Sequence, residues 1–289
     1  MAENAGSTSE SFSFIPEIED EIFEWAARMA IRSAPSLTVV SRRVQKRIEA
    51  IIYDTIRLSA FHTTTNNTGT SYYERFMSTL RARPAEFFAQ HVHNLCITAA
   101  VPRFAATEIL AKCTGVRNLA LWQYPEPPHY FPFDLVVPFS ATLTSLSMFK
   151  LDLCMLADIK NVSFPRVTQL TVALDRRAKL PTLAWLPSLT SVEIDFGDQP
   201  EEDDEWLAEV TTALSTAPLL QSLIVMVNTA HAMTRAENVL RGNDSTRIAV
   251  VNSMEHDERW FADFYYPLIT GYLDRDNIIS YLLQEGWET

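Results

Sequence analysis

Apolar residues near the start of the chain recur at the spacing of an α-helix. Pro16 opens a segment whose apolar residues follow at steps of four, three, one and three; they are Ile18, Ile22, Trp25, Ala26 and Met29. These steps fall on one helical face, and proline is favoured in a first helical turn. Residues 33–36 indicate a turn. A second predicted helix then has one apolar stripe, made of Leu37, Val40, Val44, Ile48 and Ile51. The pattern therefore predicts a helical hairpin.

Further along the chain the period changes to that of short strands. Seven segments have the form polar, apolar, any residue, apolar, and their first apolar residues stand 24, 27, 24, 22, 31 and 25 residues apart. The segments begin at Asn94, Asn118, Ser145, Gln169, Ser191, Ser222 and Arg247. Alternation predicts strands. The spacing is close to the period of leucine-rich solenoids, about 20–29 residues.

One such unit cannot bury its apolar side chains alone, but stacked units build a continuous parallel sheet with helices outside it. We therefore expect an α/β fold, in which the helical hairpin precedes an irregular leucine-rich-repeat solenoid. The alternative is an ordinary α/β sheet domain, which predicts longer strands and a glycine-bearing phosphate loop. The sequence has neither.

These patterns divide the chain into five predicted segments. They are a tail at residues 1–12, the helical segment at 13–58, a loop and helix at 59–90, the solenoid at 91–253 and a C-terminal cap at 254–289. The strand-like piece Thr55–Leu58 is taken as the end of the helical segment. The cap is aromatic, as expected of a segment that closes the open end of a repeat array.

Composition excludes several classes of function. The net charge of −12 argues against a nucleic-acid interface, which needs clustered lysine and arginine. Seven glycines against fifteen prolines disfavour a glycine-rich nucleotide-binding fold. The polar first residues are not a signal peptide, and no apolar run approaches the roughly 18 residues of a membrane span. We expect a protein of the cytoplasm and/or nucleus that binds neither nucleic acid nor membrane.

No arrangement of reactive residues indicates catalysis. His91 and His93 share a strand face, but no third metal ligand lies at a suitable spacing. The three cysteines form no CxxC pair, and the run of seven carboxylates at residues 195–205 is typical of a solvated loop. We predict no enzyme, no metal and no cofactor. A small-molecule enzyme is the remote alternative, and it would show a deep polar pocket with convergent titratable groups.

The first fifty-odd residues resemble an F-box. The opening, residues 15–27 (IPEIEDEIFEWAA), is similar to the family pattern Leu-Pro-x-Glu-(Ile/Leu)-x-x-x-Ile-Phe. Residues 37–49 and 51–56 resemble the continuation in the large fungal-type F-box-like family, and a weaker likeness runs through the repeats. The chain departs from the pattern at Arg47, where an aromatic residue is frequent, and at Ala50, where proline is frequent. Its opening is also one residue shorter than the Leu-Pro-Pro-Glu-Ile often seen in this group.

The resemblance implies a non-catalytic substrate receptor of a Skp–cullin–F-box type ubiquitin ligase. Members of the family hold a Skp-type adaptor with the helical segment and select a protein substrate with the repeats. By matching positions, the implied adaptor contacts are Pro16, Ile18, Ile22, Phe23, Leu37, Val40 and Val44. Two alternatives remain: the same stripe is a plain core between two helices, or the protein is a binding scaffold with no link to a ligase.

The strand pattern also proposes where a substrate would bind. Leu119 and Leu121 point into the core of the predicted solenoid, so their neighbours in the strand point to its open, concave face. On this basis the candidate substrate contacts are Trp122, Phe149, Asp195, Ile224 and Met226. The alternative is that the aromatic C-terminal segment folds across this face.

Overall fold

The structure is a computed structural model that describes residues 15–58, 72–98, 101–122, 133–159, 161–173, 180–195, 210–213, 215–227, 234 and 247–252. The chain divides into two compact units, Met1–Asp54 and Thr55–Thr289. Three predicted features lie outside the described residues: the tail at 1–12, the acidic run beyond Asp195 and the cap at 254–289.

The first unit contains three helices, α1 (Pro16–Met29), α2 (Ala34–Leu37) and α3 (Arg42–Asp54). The single second helix expected from Leu37 onwards was wrong, because the chain leaves the helix after Leu37 and begins a new one at Arg42. Ser41 accounts for the new start: its Oγ accepts a hydrogen bond from the backbone N–H of Val44 at 3.2 Å. This side chain caps an N–H group that has no partner inside the helix.

The second unit is built on one sheet of eight parallel strands, arranged in the order of the chain. The prediction of an α/β fold with a parallel sheet is confirmed, and all seven predicted segments are strands. The strands are β1 (Thr55–Leu58), β2 (Asn94–Thr98), β3 (Asn118–Trp122), β4 (Ser145–Phe149), β5 (Gln169–Ala173), β6 (Ser191–Asp195), β7 (Ser222–Val227) and β8 (Arg247–Asn252).

The strand β1 corrects one predicted boundary. Thr55–Leu58 was predicted as a strand-like end of the helical segment, whereas in the structure it pairs with β2 in the sheet. Ile56 lies opposite Leu95 and Leu58 opposite Ile97, and both β1 side chains are buried. The alternation of this short piece therefore matches that of the repeats, so the sheet begins one strand earlier than predicted.

Helices and turns connect the strands. Among the described residues they include α4 (Tyr72–Ala82), α5 (Ala85–His91), α6 (Arg103–Lys112), α7 (Lys150–Ala157), 3-10 helices at Phe133–Leu135 and Val137–Ala141, and the helical residues 210–213. The sequence predicted one helix around residues 73–89, but Pro84 separates α4 from α5 because proline lacks the N–H that a helix interior requires. A bidentate ion pair between Arg81 and Glu108 joins α4 to α6, with Nη2 to Oε2 at 2.9 Å.

One face of the sheet carries buried apolar side chains, and we call it the leucine face. It consists of the second and fourth residues of each strand, and all of those described in β1 to β7 are buried. Ile109 and Leu110 of α6, Phe139 of the second 3-10 helix, and Leu153 and Leu156 of α7 are buried as well. The leucine face comprises Ile56, Leu58, Leu95, Ile97, Leu119, Leu121, Leu146, Met148, Leu170, Val172, Val192, Ile194, Leu223 and Val225.

The turns before β3 to β7 repeat one backbone hydrogen bond. The residue that precedes a strand donates its N–H to the carbonyl of the equivalent residue one unit earlier, as Thr168 does to Thr144 at 2.9 Å and Thr190 does to Thr168 at 2.9 Å. In the second of these pairs the threonine hydroxyl donates to the same carbonyl, at 3.1 Å. An apolar residue two positions before the strand is buried in five successive units: Val92, Val116, Leu143, Val167 and Leu189.

The turn that follows α6 predicts a sharp effect of one substitution. A Cβ atom on Gly115 would overlap the carbonyl oxygen of Ala89 in α5, and this contact is with backbone that cannot move aside easily. We expect Gly115→Ala to lower the free energy of unfolding by about 1–3 kcal/mol, as overpacking does. Urea unfolding measures this, with Thr114→Ala at the exposed neighbouring position as control. An unchanged midpoint for Gly115→Ala would contradict the close approach.

Candidate functional site

An exposed row of large apolar side chains runs along α1. These residues are between 44% and 70% exposed, although each is of a type that is usually buried. They follow one another at alternating steps of three and four, so they share one face of the helix. We call this row the α1 stripe: Ile15, Ile18, Ile22, Trp25 and Met29.

The opposite face of α1 packs inside the first unit. Ala27 is fully buried there, together with Ala34 of α2 and with Val44 and Ile48 of α3. Four partly buried side chains complete this small core: Phe23, Leu37, Ile51 and Ile52. Thus α1 turns its smaller apolar face to its neighbours and leaves its larger one in contact with solvent.

Ion pairs connect the same inner face of α1 to α3. The buried carboxylate of Asp20 lies 3.4 Å from Nη1 of Arg43 and 3.0 Å from Nε of Arg47. Arg47 also pairs with Glu24 at 2.6 Å, and Arg43 with Glu19. The hydrogen bond that Arg47 donates to Glu24 and the charge of Asp20 raise the pKa of Arg47 above its ordinary value. We call these five residues the Asp20 cluster.

The structure places the seven predicted adaptor contacts in two environments. Phe23, Leu37 and Val44 meet in the internal core, which matches the alternative that part of the stripe is plain core. Pro16, Ile18, Ile22 and Val40 are exposed instead. The predicted set omitted five other exposed large apolar residues of the first unit: Ile15, Trp25, Met29, Ile31 and Val39. The apolar spacing had already placed Trp25 and Met29 on the helical face of Ile18 and Ile22, although they were not matched to the family pattern.

The other face of the sheet contains the first, third and fifth residues of each strand, and we call it the Ser147 face. Its third positions lie side by side in register from β2 to β7. All of them are buried, so the centre of this face is not open to solvent. These positions are Cys96, Ala120, Ser147, Thr171, Glu193 and Ile224.

The fifth positions of the Ser147 face form its carboxyl edge, where three of the predicted substrate contacts are half-buried: Trp122, Phe149 and Asp195. The rings of Trp122 and Phe149 have centroids 5.9 Å apart, and Nε1 of Trp122 donates a hydrogen bond to Oγ of Ser147 at 2.8 Å. The other two predicted contacts, Ile224 and Met226, are buried. We call Trp122, Phe149 and Asp195 the edge row.

The first positions of the Ser147 face show why several repeats begin with a polar residue. Nδ2 of Asn118 donates to Oδ1 of Asn94 at 2.6 Å, and Nδ2 of Asn94 donates to Oγ1 of Thr55 at 3.1 Å. Further along the sheet, Ser222 donates to Ser191 at 2.7 Å. Hydrogen bonds between neighbouring strands therefore satisfy polar side chains that the sheet partly or fully buries.

Glu193 is a buried acidic residue that the candidate sets did not include. Its side chain is 1% exposed and lies between Thr171 of β5 and Ile224 of β7. A buried carboxylate is costly without compensating interactions. Sequence could have drawn attention to it, because it is the one charged residue at the third position of the seven predicted strands.

Two of the three cysteine thiols lie within the protein interior. Burial raises the pKa of Cys96 to about 12 and that of Cys113 to about 12. Both thiols therefore stay protonated at neutral pH, where a nucleophilic cysteine requires the thiolate. Cys154 is partly exposed.

Comparison with other proteins does not add a relative. Neither the protein-family models nor the curated proteins that were searched contain a match to this chain. Within the described part of the chain, no group of three or more His, Cys, Asp or Glu side chains could hold a metal ion. Of the helices described, none is both long and apolar enough to cross a membrane.

The raised thiol pKa values predict a loss of stability at alkaline pH. Unfolded thiols ionise near pH 9, whereas the folded ones hold their protons to about pH 12, so stability is full below pH 9 and falls above it. At pH 10.5 we expect a loss of about 2 kcal/mol per buried thiol. Urea unfolding at pH 8 and 10.5 should show a smaller pH effect for Cys96→Ala with Cys113→Ala than for wild type. Equal pH effects would contradict the burial of these thiols.

The hydrogen bond from Trp122 to Ser147 predicts an energetic coupling between the two side chains. Ser147→Ala leaves the indole N–H without this acceptor and should cost about 1 kcal/mol of unfolding free energy. A double-mutant cycle with Trp122→Phe, measured by urea unfolding, should give a coupling energy of similar size. If the changes in unfolding free energy of the two single variants simply add in the double variant, the hydrogen bond contributes nothing to stability.

Proposed function

We propose that this chain is a non-catalytic substrate receptor of a Skp–cullin–F-box type ubiquitin ligase. Its first unit is an F-box-like segment that binds a Skp-type adaptor, and the strands belong to a leucine-rich-repeat solenoid that binds a protein substrate. The mechanism is positional: one part of the chain holds the ligase and another holds the substrate near it. No residue of this protein takes part in the ubiquitin-transfer chemistry.

The α1 stripe is the observation that supports adaptor binding most strongly. A single exposed apolar residue is ordinary, but four on one face of a fourteen-residue helix form a row with Ile15, which immediately precedes the helix. An amphipathic helix that offers such a row is a recurrent way to bind a partner protein. The row begins at the Ile-Pro opening, where the sequence resembles an F-box.

The segment between α2 and α3 extends this argument. Val39 and Val40 are exposed in the turn that precedes α3, and Ser41 then caps that helix. Both valines follow Leu37 in the stretch that resembles the second part of an F-box. The proposed adaptor contact therefore consists of the α1 stripe with Val39 and Val40. Phe23, Leu37 and Val44 support it from the core beneath.

The edge row supports the substrate-binding half of the proposal. Trp122 and Phe149 are aromatic, half-buried and in contact with each other, while Asp195 adds a negative charge two strands further along. Partly exposed aromatic side chains fixed by packing are favourable anchors for a protein partner. Ile224 and Met226 are buried, so we assign them to the support of this edge.

A binding scaffold with no link to a ligase is the second candidate. The observation in its favour is that Phe23, Leu37 and Val44, three of the residues matched to the F-box, have internal packing roles. A helical unit that had lost its adaptor would still need these three residues. The two candidates differ in whether the α1 stripe retains a Skp-type adaptor.

Co-expression with a Skp-type adaptor tests the proposal. We expect wild type to retain the adaptor through size-exclusion chromatography and Ile22→Asp with Val40→Asp to lose it, because a carboxylate is costly to bury in an apolar interface. Both residues are about half exposed, so the substitutions should change the melting temperature little.

A matched control carries the same charges elsewhere. Ala50→Asp with Ala111→Asp introduces two carboxylates at exposed positions that are not part of the α1 stripe, one on α3 and one on α6, and it should retain the adaptor as wild type does. Failure of wild type to retain any adaptor at low salt would reject the ligase assignment in favour of the scaffold. Loss of adaptor in the control as well would reject the stripe as its binding site.

A further inference from the structure

The hydrophobic pattern of α1 favours burial of its larger apolar face, but in the structure this face is exposed. The buried face offers Phe23 and Ala27 to α3, while the exposed face carries the five large residues of the α1 stripe. Burial of apolar area is the main favourable contribution to packing, and it increases with the area removed from water. On that contribution alone, α1 would turn about its axis and lay its stripe against α3.

Polar contacts on the inner face oppose that turn. Arg43 and Arg47 stand one turn apart on α3, so both reach the buried carboxylate of Asp20. Arg43 also donates to the carbonyl oxygen of Pro16 at 3.1 Å. Asp20 and Glu24 lie on the side of α1 opposite the stripe, whereas Glu19, three residues before Ile22, borders it.

We propose that Asp20 is a positioning residue: paired with Arg43 and Arg47, it selects the rotation of α1 in which the α1 stripe faces away from α3. Turning the helix would separate Asp20 from both arginines at once. The Asp20 carboxylate is buried, whereas the side chains of Arg43 and Arg47 are 40% and 50% exposed. Such partly exposed ion pairs add little net stability compared with apolar packing, but they can select one arrangement among several. The relevance of this rotation to adaptor docking rests on the proposed function, whereas the rotation itself does not.

The position of Asp20 within the network distinguishes it from its acidic neighbours. Its side chain is buried and contacts both arginines, whereas Glu19 and Glu24 each contact one. Glu21, the next residue along the helix, is exposed. Replacement of Glu21 therefore removes the same charge from α1 without disturbing the arginines.

Two engineered thiols report the rotation without any adaptor. In the full chain with Cys154→Ser, Ile22→Cys places a thiol on the α1 stripe, and in a second protein Ala27→Cys places one in the core. The native Cys96 and Cys113 are buried and should not react. We expect maleimide to modify the thiol at position 22 rapidly and the thiol at position 27 slowly.

Charge reversal at Asp20 should exchange these reactivities. With Asp20→Lys, the rate of maleimide modification should fall about tenfold at position 22 and rise about tenfold at position 27. This is what a change in population between the two rotations of α1 requires. Asp20→Asn should shift both rates in the same directions, by less. Asp20→Glu, which keeps the charge, and Glu21→Lys, the matched reversal on the exposed side, should react as wild type does.

The two thiols together separate rotation from unfolding. Rapid reaction at both positions in Asp20→Lys and Asp20→Asn would overturn the proposal, since Asp20 would then only stabilise the unit. Unchanged rates at both positions would overturn it as well. No adaptor is present in the maleimide experiment, so its outcome does not decide whether the protein binds an adaptor. Likewise, a failure to co-purify the adaptor would not overturn the role of Asp20 in the rotation of α1.

Discussion

The burial of the leucine face is the constraint on which the second unit depends. Each strand supplies two apolar side chains to this face, too few to form a core within one unit. Parallel pairing in strict chain order places these side chains in adjacent register, for example Leu119 beside Leu146 and Leu146 beside Leu170. A continuous core therefore exists only when neighbouring units stack, and the turns before each strand are shaped to keep that register.

In those turns, backbone and side-chain groups both help to keep neighbouring units in register. An apolar residue two positions before the strand is buried, and the residue just before the strand bonds to its equivalent one unit earlier. The threonines at three of these positions, Thr144, Thr168 and Thr190, use their hydroxyls to bond to the preceding unit as well. The hydrogen-bonding groups of each turn are thus satisfied by the neighbouring unit, which makes the units depend on one another.

The first unit follows a different physical logic. Its core is small, and an ionic cluster of five residues lies beside it. Arg47, which departs from the F-box pattern, belongs to this cluster, so the departure has a structural use within this chain. An apolar stripe that is left in solvent while the carboxylate of Asp20 is buried is an arrangement that favours a binding surface over maximal stability.

The sequence by itself determined where the seven repeat strands lie and how far apart they are, because alternation and a near-constant period are local properties of the chain. It determined less about the helices. Two predicted helices are divided into shorter ones at Ser41 and Pro84. Both residue types are typical of helix boundaries, but the apolar pattern continued across them.

Only the tertiary structure decided which way each apolar or polar face points. The spacing of Ile18, Ile22, Trp25 and Met29 marks one face of α1, but the same spacing suits a face that is buried and one that is exposed. Contacts from α3, distant in sequence, turned that face outward. The alternation of the strands likewise places Glu193 and Ile224 on one face, yet it does not encode whether that face is covered. Burial is a property of what packs against a face, and a local pattern records only the face itself.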